Sequence, residues 1–240
     1  MTRPAAVLDI SAVLPAFNEA GNLEQSIGRV AKALAHYART FEIIVVDDGS
    51  RDDTAALLNR LKTQYDELRV VRHPVNRGYG AALRSGFEAA RLGWIFLIDA
   101  DNQFHPEEVG LLCARAADAD IVAGYRRHRR DPLSRRLNAW AFFTLVRMLF
   151  GPLGRDVNCA FKLMRRDLLA AMDLHSEGAL INTEILVLAR QVHARVVEVA
   201  VSHYPRTSGR QTGANPRVVL RAFAELLAFR AGMRRVEKAA

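Results

Sequence analysis

The sequence predicts an α/β fold, an open and mostly parallel central sheet flanked by helices. Three observations carry that prediction. Short apolar runs of strand length alternate with segments of helical periodicity through the first half of the chain. Their order, β-α-β-α-β-α-β-α-β, implies strands laid parallel and joined by covering helices. Polar clusters follow three of the runs, after Leu14, Val46 and Ile98, and ligands of such sheets bind beyond the carboxyl ends of the strands.

The elements follow in order. Ile10 to Leu14 is a short strand ended by Pro15. In the next helix Leu23, Ile27, Val30 and Leu34 share one face, with Asn22 as N-cap and Gln25 three residues on. Phe41 to Val46, broken only by Glu42, has the continuous apolar character of a buried parallel strand. Ser50 or Asp52 caps the second helix, whose apolar face holds Leu57, Leu58 and Leu61. Leu68 to Val71 is a strand, Tyr79 to Arg91 a helix, and Trp94 to Ile98 a very apolar strand. Pro106 stands at the first helical position of a helix through Ala117, and Asp120 to Ala123 is the next strand.

Beyond it the character changes. Residues 124–136 are strongly basic, and 137–150 are strongly apolar with Arg147 embedded. Residues 202–216 are polar and rich in glycine and proline, which predicts a loop. Residues 216–235 predict an amphipathic, basic helix. The expected division is a main domain over 1–215 and a terminal helix over 216–240.

With 240 residues, 50% of them hydrophobic and 25% charged, the chain has enough apolar material for one large core. Its formal net charge of +8 suits an anionic partner, whether nucleic acid, membrane or phosphorylated substrate. The two cysteines, Cys113 and Cys159, form neither a disulfide framework nor a CxxC metal spacing, so a reduced compartment is expected. Asp9 interrupts the first apolar stretch, so no signal peptide is expected, and no window is apolar enough for a transmembrane helix.

The chemistry concentrates at the strand ends. Asp99 and Asp101 are two apart on an extended segment and point the same way. Two carboxylates about 4 Å apart repel by roughly 4 kcal/mol at an effective dielectric of about 20. A divalent cation removes that conflict, and oxygen-only ligands suit Mg2+ or Mn2+. Gln103 continues the alternation with an amide oxygen. A lone DxD is more often a solvated turn, but this one ends a buried strand. Asp48, in Asp47-Asp48-Gly49-Ser50, is suited to a base edge or a ribose, or else to plain loop chemistry with Ser50 as a cap. Pro15-Ala16-Phe17-Asn18-Glu19 offers an aromatic face and a carboxylate to a nucleoside, or a turn with acids at a helix start. Asn76-Arg77-Gly78-Tyr79-Gly80-Ala81-Ala82 follows the third strand rather than the first, so it is a weak dinucleotide fingerprint but an acceptable approach site for phosphate or ribose.

The four motifs PAFNE, DDGS, NRGYGAA and DADNQ, in this order and spacing, resemble the family-2 glycosyltransferases of GT-A fold, and within them the polyprenyl-phosphate sugar synthases. The resemblance covers about residues 9–215. It implies a GT-A type, Rossmann-like domain with C-terminal amphipathic helices. It also implies that Pro15, Phe17, Glu19 and Asp48 hold the nucleoside and that Asp99, Asp101 and Gln103 hold the metal. Gly124-Tyr125-Arg126 resembles the family's Gly-Ser-Arg, with tyrosine for serine, which assigns Arg126 to phosphate. Arg135 and Arg136 then clamp an acceptor phosphate, as planar guanidinium groups suit; a solvated basic loop is the alternative for part of this cluster. Asp156-Val157-Asn158-Cys159-Ala160-Phe161-Lys162 resembles Asp-x-x-(Ser/Cys)-Gly-Phe-(Arg/Lys), with Ala160 for glycine, and places Asp156 toward the acceptor. Glu184, in Asn182-Thr183-Glu184, matches an acidic position of unassigned role. The stretch from His203 to Thr212 resembles a loop that closes over donor and metal, with Arg206 and Arg210 on the diphosphate and Gln211-Thr212 where Ser-Lys is usual.

The implied reaction is metal-dependent transfer of a hexose, mannose favoured, from GDP-mannose, UDP-glucose or another nucleoside-diphosphate sugar to polyprenyl phosphate, with inversion. A phosphate monoester has a second pKa of about 6 and is already a nucleophile at neutral pH, so Asp101, Arg136 and Asp156 are assigned to stabilising and orienting roles and no residue to an obligatory base. Transfer to a polysaccharide or glycolipid is the alternative. The apolar residues Leu137, Trp140, Phe143, Leu145, Met148, Leu149 and Phe150, and later Val218, Val219, Phe223, Leu226, Leu227 and Phe229, suit interfacial helices on the cytoplasmic face of an anionic membrane. Packing on the core or on another subunit is the alternative. Nucleic acid is not an expected partner, because the basic residues lack interleaved aromatics.

Overall fold

The computed structural model describes residues 8–127, 133–205 and 223–233, with 133–139 described by backbone alone. The first four strands are β1 (Leu8–Ala16), β2 (Ala38–Asp47), β3 (Leu68–Arg72) and β4 (Trp94–Ile98). Between them lie α1 (Ala20–Tyr37), α2 (Thr54–Leu61) and α3 (Tyr79–Ala89). Two 3-10 turns, Pro106–Glu108 and Ala116–Asp118, bracket α4 (Val109–Cys113) before β5 (Ile121–Arg126). Then come α5 (Leu133–Phe150), β6 (Phe161–Arg165), α6 (Arg166–Ala170), α7 (Ile181–Gln191) and β7 (Val196–Val201). A last helix, α8, spans 223–233.

The seven strands form one sheet in the order β3-β2-β1-β4-β6-β5-β7. Every pairing is parallel except those of β6, which runs antiparallel to β4 and β5. The mostly parallel sheet is the one the sequence predicts. Its side chains alternate between two packed faces, as strand geometry requires. Ile10, Ala12, Leu14, Ile43, Val45, Phe96 and Ile98 face α1, α2 and α4. Val13, Ile44, Val46, Ile95 and Leu97 face α3, α6 and α7. Glu42 breaks the apolar run of β2 at no cost in pairing, because Ser11, Arg69 and the Arg91 backbone N–H all donate to its carboxylate.

Local differences from the sequence reading have physical causes. The N-cap of α1 is Glu19, not Asn22, and its side chain makes no cap. Instead the following βα loop reaches across: Ser50 Oγ accepts the Asn18 N–H, Thr54 Oγ1 that of Glu19 and Asp52 that of Ala20. Asp52 also accepts the Thr54 N–H at the start of α2, so one carboxylate serves two helix ends. The expected single helix from Pro106 to Ala117 is broken into short turns. At its centre Gly110 lies under the Tyr37 ring, where a Cβ would stand 2.5 Å from Cε1, so packing rather than helical length shapes this segment.

The apolar stripe of α8 is already occupied. Leu226 is fully buried, and with Phe223 and Phe229 it packs against Phe142, Val146 and Phe150 of α5 and against Leu180. Residues 223–233 therefore join the main body, although the sequence sets them apart. Outward-facing apolar surface remains at Trp140 and Met148 of α5, 65% and 71% exposed, and at Leu227 of α8, 53% exposed. Among the described residues no helix is long and apolar enough to cross a membrane.

Candidate active site at the carboxyl rim of the sheet

Strand direction brings the chemistry to one rim. β1, β2, β4, β5 and β7 all end there, carrying Pro15 to Glu19, Asp47 to Ser50, Asp99 to Gln103, Arg126 and Ser202 to Tyr204. The reversed β6 begins there: Ile98 pairs with Phe161, so Asp156 to Ala160 lie beside the DxD segment. The antiparallel strand is thus what delivers Asp156 to the site.

Pro15 and Glu19 are half-buried at the end of β1, and Phe17 stands 40% exposed. Asn18 takes a positive φ of 56°, a conformation asparagine tolerates, and its Oδ1 accepts the Arg51 N–H. Glu19 accepts from the Asn22 amide at 2.6 Å.

Asp99 and Asp101 flank buried Ala100 at the end of β4. Burial and the neighbouring Asp101 carboxylate push the Asp99 carboxyl up to about 7, while the Tyr79 hydroxyl donates to its Oδ1 at 3.0 Å. Two acids so crowded form an oxygen donor pair that a divalent cation would relieve. Asp101 Oδ1 accepts the Gln103 N–H. The Gln103 side-chain nitrogen donates to the Tyr204 carbonyl at 3.0 Å, and the Tyr204 N–H to the Gln103 carbonyl at 2.8 Å. Gln103 thereby ties the DxD segment to the chain leaving β7. Among the described residues no group of three or more His, Cys, Asp or Glu side chains is set for a metal; the DxD segment itself offers two carboxylates and an amide.

Asp48 has a structural duty. Its carboxylate accepts the N–H groups of Arg77 and Gly78, each at 2.8 Å, and lies 2.6 Å from His73 Nδ1. His73 Nε2 in turn meets Ser85 Oγ at 2.9 Å. The glycines of the 76–82 segment permit close approach of another stretch of backbone, residues 176–178. Gly78 has φ of 100°, and a Cβ on Gly80 would stand 2.2 Å from the Ser176 carbonyl oxygen. The 175–178 segment against which they press is held by Glu184, fully buried, whose two oxygens accept the N–H groups of His175 and Ser176. This gives the acidic position a role that sequence left unassigned. Gly80→Ala is expected to lower unfolding free energy by about 2 kcal/mol through overpacking against backbone; urea titration of the two proteins measures it.

Arg126 and Asp156 form a bidentate ion pair, Nε to Oδ2 at 2.6 Å and a terminal nitrogen to Oδ1 at 2.8 Å, each side chain 9% exposed. Tyr125, in place of the family's serine, lies under the Arg155 guanidinium at 4.8 Å. Ala160 is buried and has no positive φ, so alanine fits where glycine is usual.

Behind the pair, Lys162 is fully buried in β6 and donates to the carbonyls of Val157 and Cys159 and to Asn182 Oδ1. Burial lowers its ammonium to about 8. An unfolded lysine keeps its proton to about 10.4. Between these values the unfolded chain binds more protons, so this group's contribution to stability rises with pH. Buried Cys113 and Cys159, raised to about 11 and 12, act in the opposite direction. The comparison that isolates lysine is wild type against Lys162→Met: from pH 7 to 10 their difference in unfolding free energy is expected to move by about 2 kcal/mol toward wild type. A pH-independent difference in urea titrations contradicts it.

The side chains of Arg135 and Arg136, and all of Arg206 and Arg210, lie outside the described residues. Sequence reasoning gave no role of their own to Tyr79, His73, Asn182 and Lys162, although Tyr79, Asn182 and Lys162 stand inside the motifs it singles out.

Residues 11–177 match the family model for glycosyl transferase family 2. The undecaprenyl-phosphate 4-deoxy-4-formamido-L-arabinose transferase of Pseudomonas paraeruginosa is 35% identical over 210 residues, covering 86% of this chain and 61% of that protein. Its counterpart from Klebsiella pneumoniae is 32% identical over 207 residues, covering 85% of this chain and 62% of that protein. The chain thus spans about three-fifths of the length of these relatives. Among solved structures, glucosyl-3-phosphoglycerate synthase from Mycobacterium tuberculosis, in complex with Mn2+, uridine diphosphate and glucosyl-3-phosphoglycerate, superposes with a TM-score of 0.74 at 23% identity, covering 94% of this chain and 80% of that one. Mannosyl-3-phosphoglycerate synthase from Rubrobacter xylanophilus gives 0.73 at 19% identity, covering 95% and 75%. These structures share the fold that the resemblance implied.

Proposed function

The chain belongs to glycosyl transferase family 2, and on that premise we propose that it transfers a sugar from a nucleoside diphosphate to a polyprenyl phosphate, with inversion at the anomeric carbon. The observation that supports this best is the shared rim: the antiparallel β6 sets Asp156 and its partner Arg126 beside the Asp99–Asp101 pair. A donor-side acid pair and an acceptor-side ion pair then flank one cleft.

In this reading Phe17 offers a face to the base, with Pro15 and Glu19 beside it. Asp48 acts through its hold on residues 77–78 as well as on the nucleoside. Asp99, Asp101 and Gln103 would hold Mg2+ or Mn2+, which supplies charge neutralisation for the departing diphosphate. Arg206 and Arg210 are assigned to that diphosphate. Arg126, Arg135 and Arg136 receive the acceptor phosphate, whose dianion is itself the nucleophile, and Asp156 fixes the plane of Arg126. The relatives named for an undecaprenyl-phosphate transferase favour the lipid-phosphate acceptor. The motif resemblance favours a hexose donor, with mannose first, while the relatives are named for a formamido-arabinose, a modified pentose, which is the alternative donor sugar. Exposed Trp140, Met148 and Leu227 suit shallow contact with the cytoplasmic leaflet that carries the lipid.

The test is transfer from a panel of radiolabelled nucleotide sugars to a short polyprenyl phosphate, with Mn2+ or Mg2+. Polyprenol without phosphate, a glycolipid and a polysaccharide serve as rival acceptors. Phosphate-dependent product from one donor supports the proposal and names the sugar. Product on a rival acceptor alone overturns the lipid-phosphate reading.

A further inference from the structure

A polar line, buried at Lys162 and Asn182 and part-buried at Tyr79 and Asp99, runs behind the DxD segment. The Tyr79 hydroxyl donates to Asp99 Oδ1 at 3.0 Å. The Asn182 side chain lies within polar reach of the same phenol and favours its charged form. Asn182 Oδ1 accepts from Lys162 Nζ at 2.9 Å, so its amide nitrogen is the group that faces Tyr79. Lys162 Nζ also holds the Val157 and Cys159 carbonyls, in the segment that begins at Asp156. Four elements meet here: α3 supplies Tyr79, β4 leads to Asp99, α7 supplies Asn182 and β6 supplies Lys162.

We propose that Tyr79 and Asn182 are positioning residues that aim the Asp99 carboxylate at the divalent cation, with Lys162 anchoring the line on the acceptor side. The proposal rests on the metal-dependent reading above. The chemistry sets the direction of the argument. Lysine has only donors, so it fixes the amide orientation of Asn182. The fixed amide donates to the phenol oxygen, which leaves the phenol hydrogen for Asp99. With Oδ1 held by that hydrogen, the carboxylate cannot rotate freely, and Oδ2 keeps one bearing. Outer partners that orient a ligand in this way are worth about 10–100-fold in metal affinity. The small residues Gly78 and Gly80 give the line its place, because they let α3 start against the 176–178 backbone just ahead of Asn182.

The experiment is Mn2+ binding by electron paramagnetic resonance, with and without uridine or guanosine diphosphate, in wild type, Tyr79→Phe, Asn182→Asp and the double variant. Tyr79→Phe keeps the ring and removes the hydroxyl, both the donor to Asp99 and the acceptor facing Asn182. Asn182→Asp keeps the acceptor for Lys162, removes the donor to Tyr79 and offers the phenol a rival acceptor. The expected result is about tenfold weaker Mn2+ binding in each single variant and no further loss in the double. Unfolding midpoints measured alongside separate aiming from collapse, since a general loosening also weakens metal-free nucleotide binding. Mn2+ affinity within twofold of wild type in a folded Tyr79→Phe overturns the proposal. If wild type and Asp101→Ala bind Mn2+ equally, the metal-dependent reading itself fails instead.

Discussion

Replacing Asp101 by alanine is expected to cut sugar transfer by about 10^3-fold, or about 4 kcal/mol of transition-state stabilisation. The carboxylate is one of two that follow β4, and it is half-buried at the rim beside the segment that leads into β6. In the proposed reaction the departing diphosphate then loses charge neutralisation that a single carboxylate and an amide would not restore. The fold has little to lose. Asp101 accepts the Gln103 N–H at 3.1 Å, and its removal relieves repulsion on Asp99. The expected pattern is therefore a collapsed kcat with an unfolding midpoint near that of wild type, and nucleotide binding that no longer strengthens with Mn2+. Asp101→Asn keeps the contact to Gln103 but not the charge, and belongs with alanine in rate. Retained turnover in either variant removes the acid pair from the mechanism.

How much of this was legible in the sequence depends on the range over which each feature is decided. β1, β2 and β4 are buried on both faces, so they read as continuous apolar runs, and Trp94–Ile98 has its observed bounds. The acid pair was visible because its logic is local, two carboxylates two residues apart at a strand end. β6 and β7 were not read as strands. Phe161–Arg165 carries a lysine whose amine is buried among carbonyls, and Val196–Val201 is an edge strand of mixed exposure. The 76–82 glycines were visible as a need for close approach, but the approaching group is the backbone near Glu177, about a hundred residues away in sequence. No local pattern encodes that choice. The amphipathicity of α8 was equally plain, while its occupant, α5, depends on tertiary packing.

The Arg126–Asp156 pair is where stability and chemistry are most entangled, and a graded series pulls them apart. Arg126→Met removes the guanidinium that binds Asp156 through two hydrogen bonds and leaves a carboxylate 9% exposed without that partner. Breaking a buried pair from one side costs about 3–5 kcal/mol, enough to consume much of a domain's stability. Asp156→Asn keeps the shape and strands the cation instead, a similar cost with the opposite charge. If the loss comes from the uncompensated charge, joint replacement by Arg126→Met and Asp156→Leu costs clearly less than the sum of the single changes. Arg126→Lys then reports on function: the charge stays, but the planar fork that suits phosphate does not. It should fold with a modest loss and raise KM for polyprenyl phosphate more than it lowers kcat. Additive losses across the double change would mean that the two side chains act independently, and an unaltered acceptor KM in Arg126→Lys would take Arg126 away from the phosphate and leave it as Asp156's support.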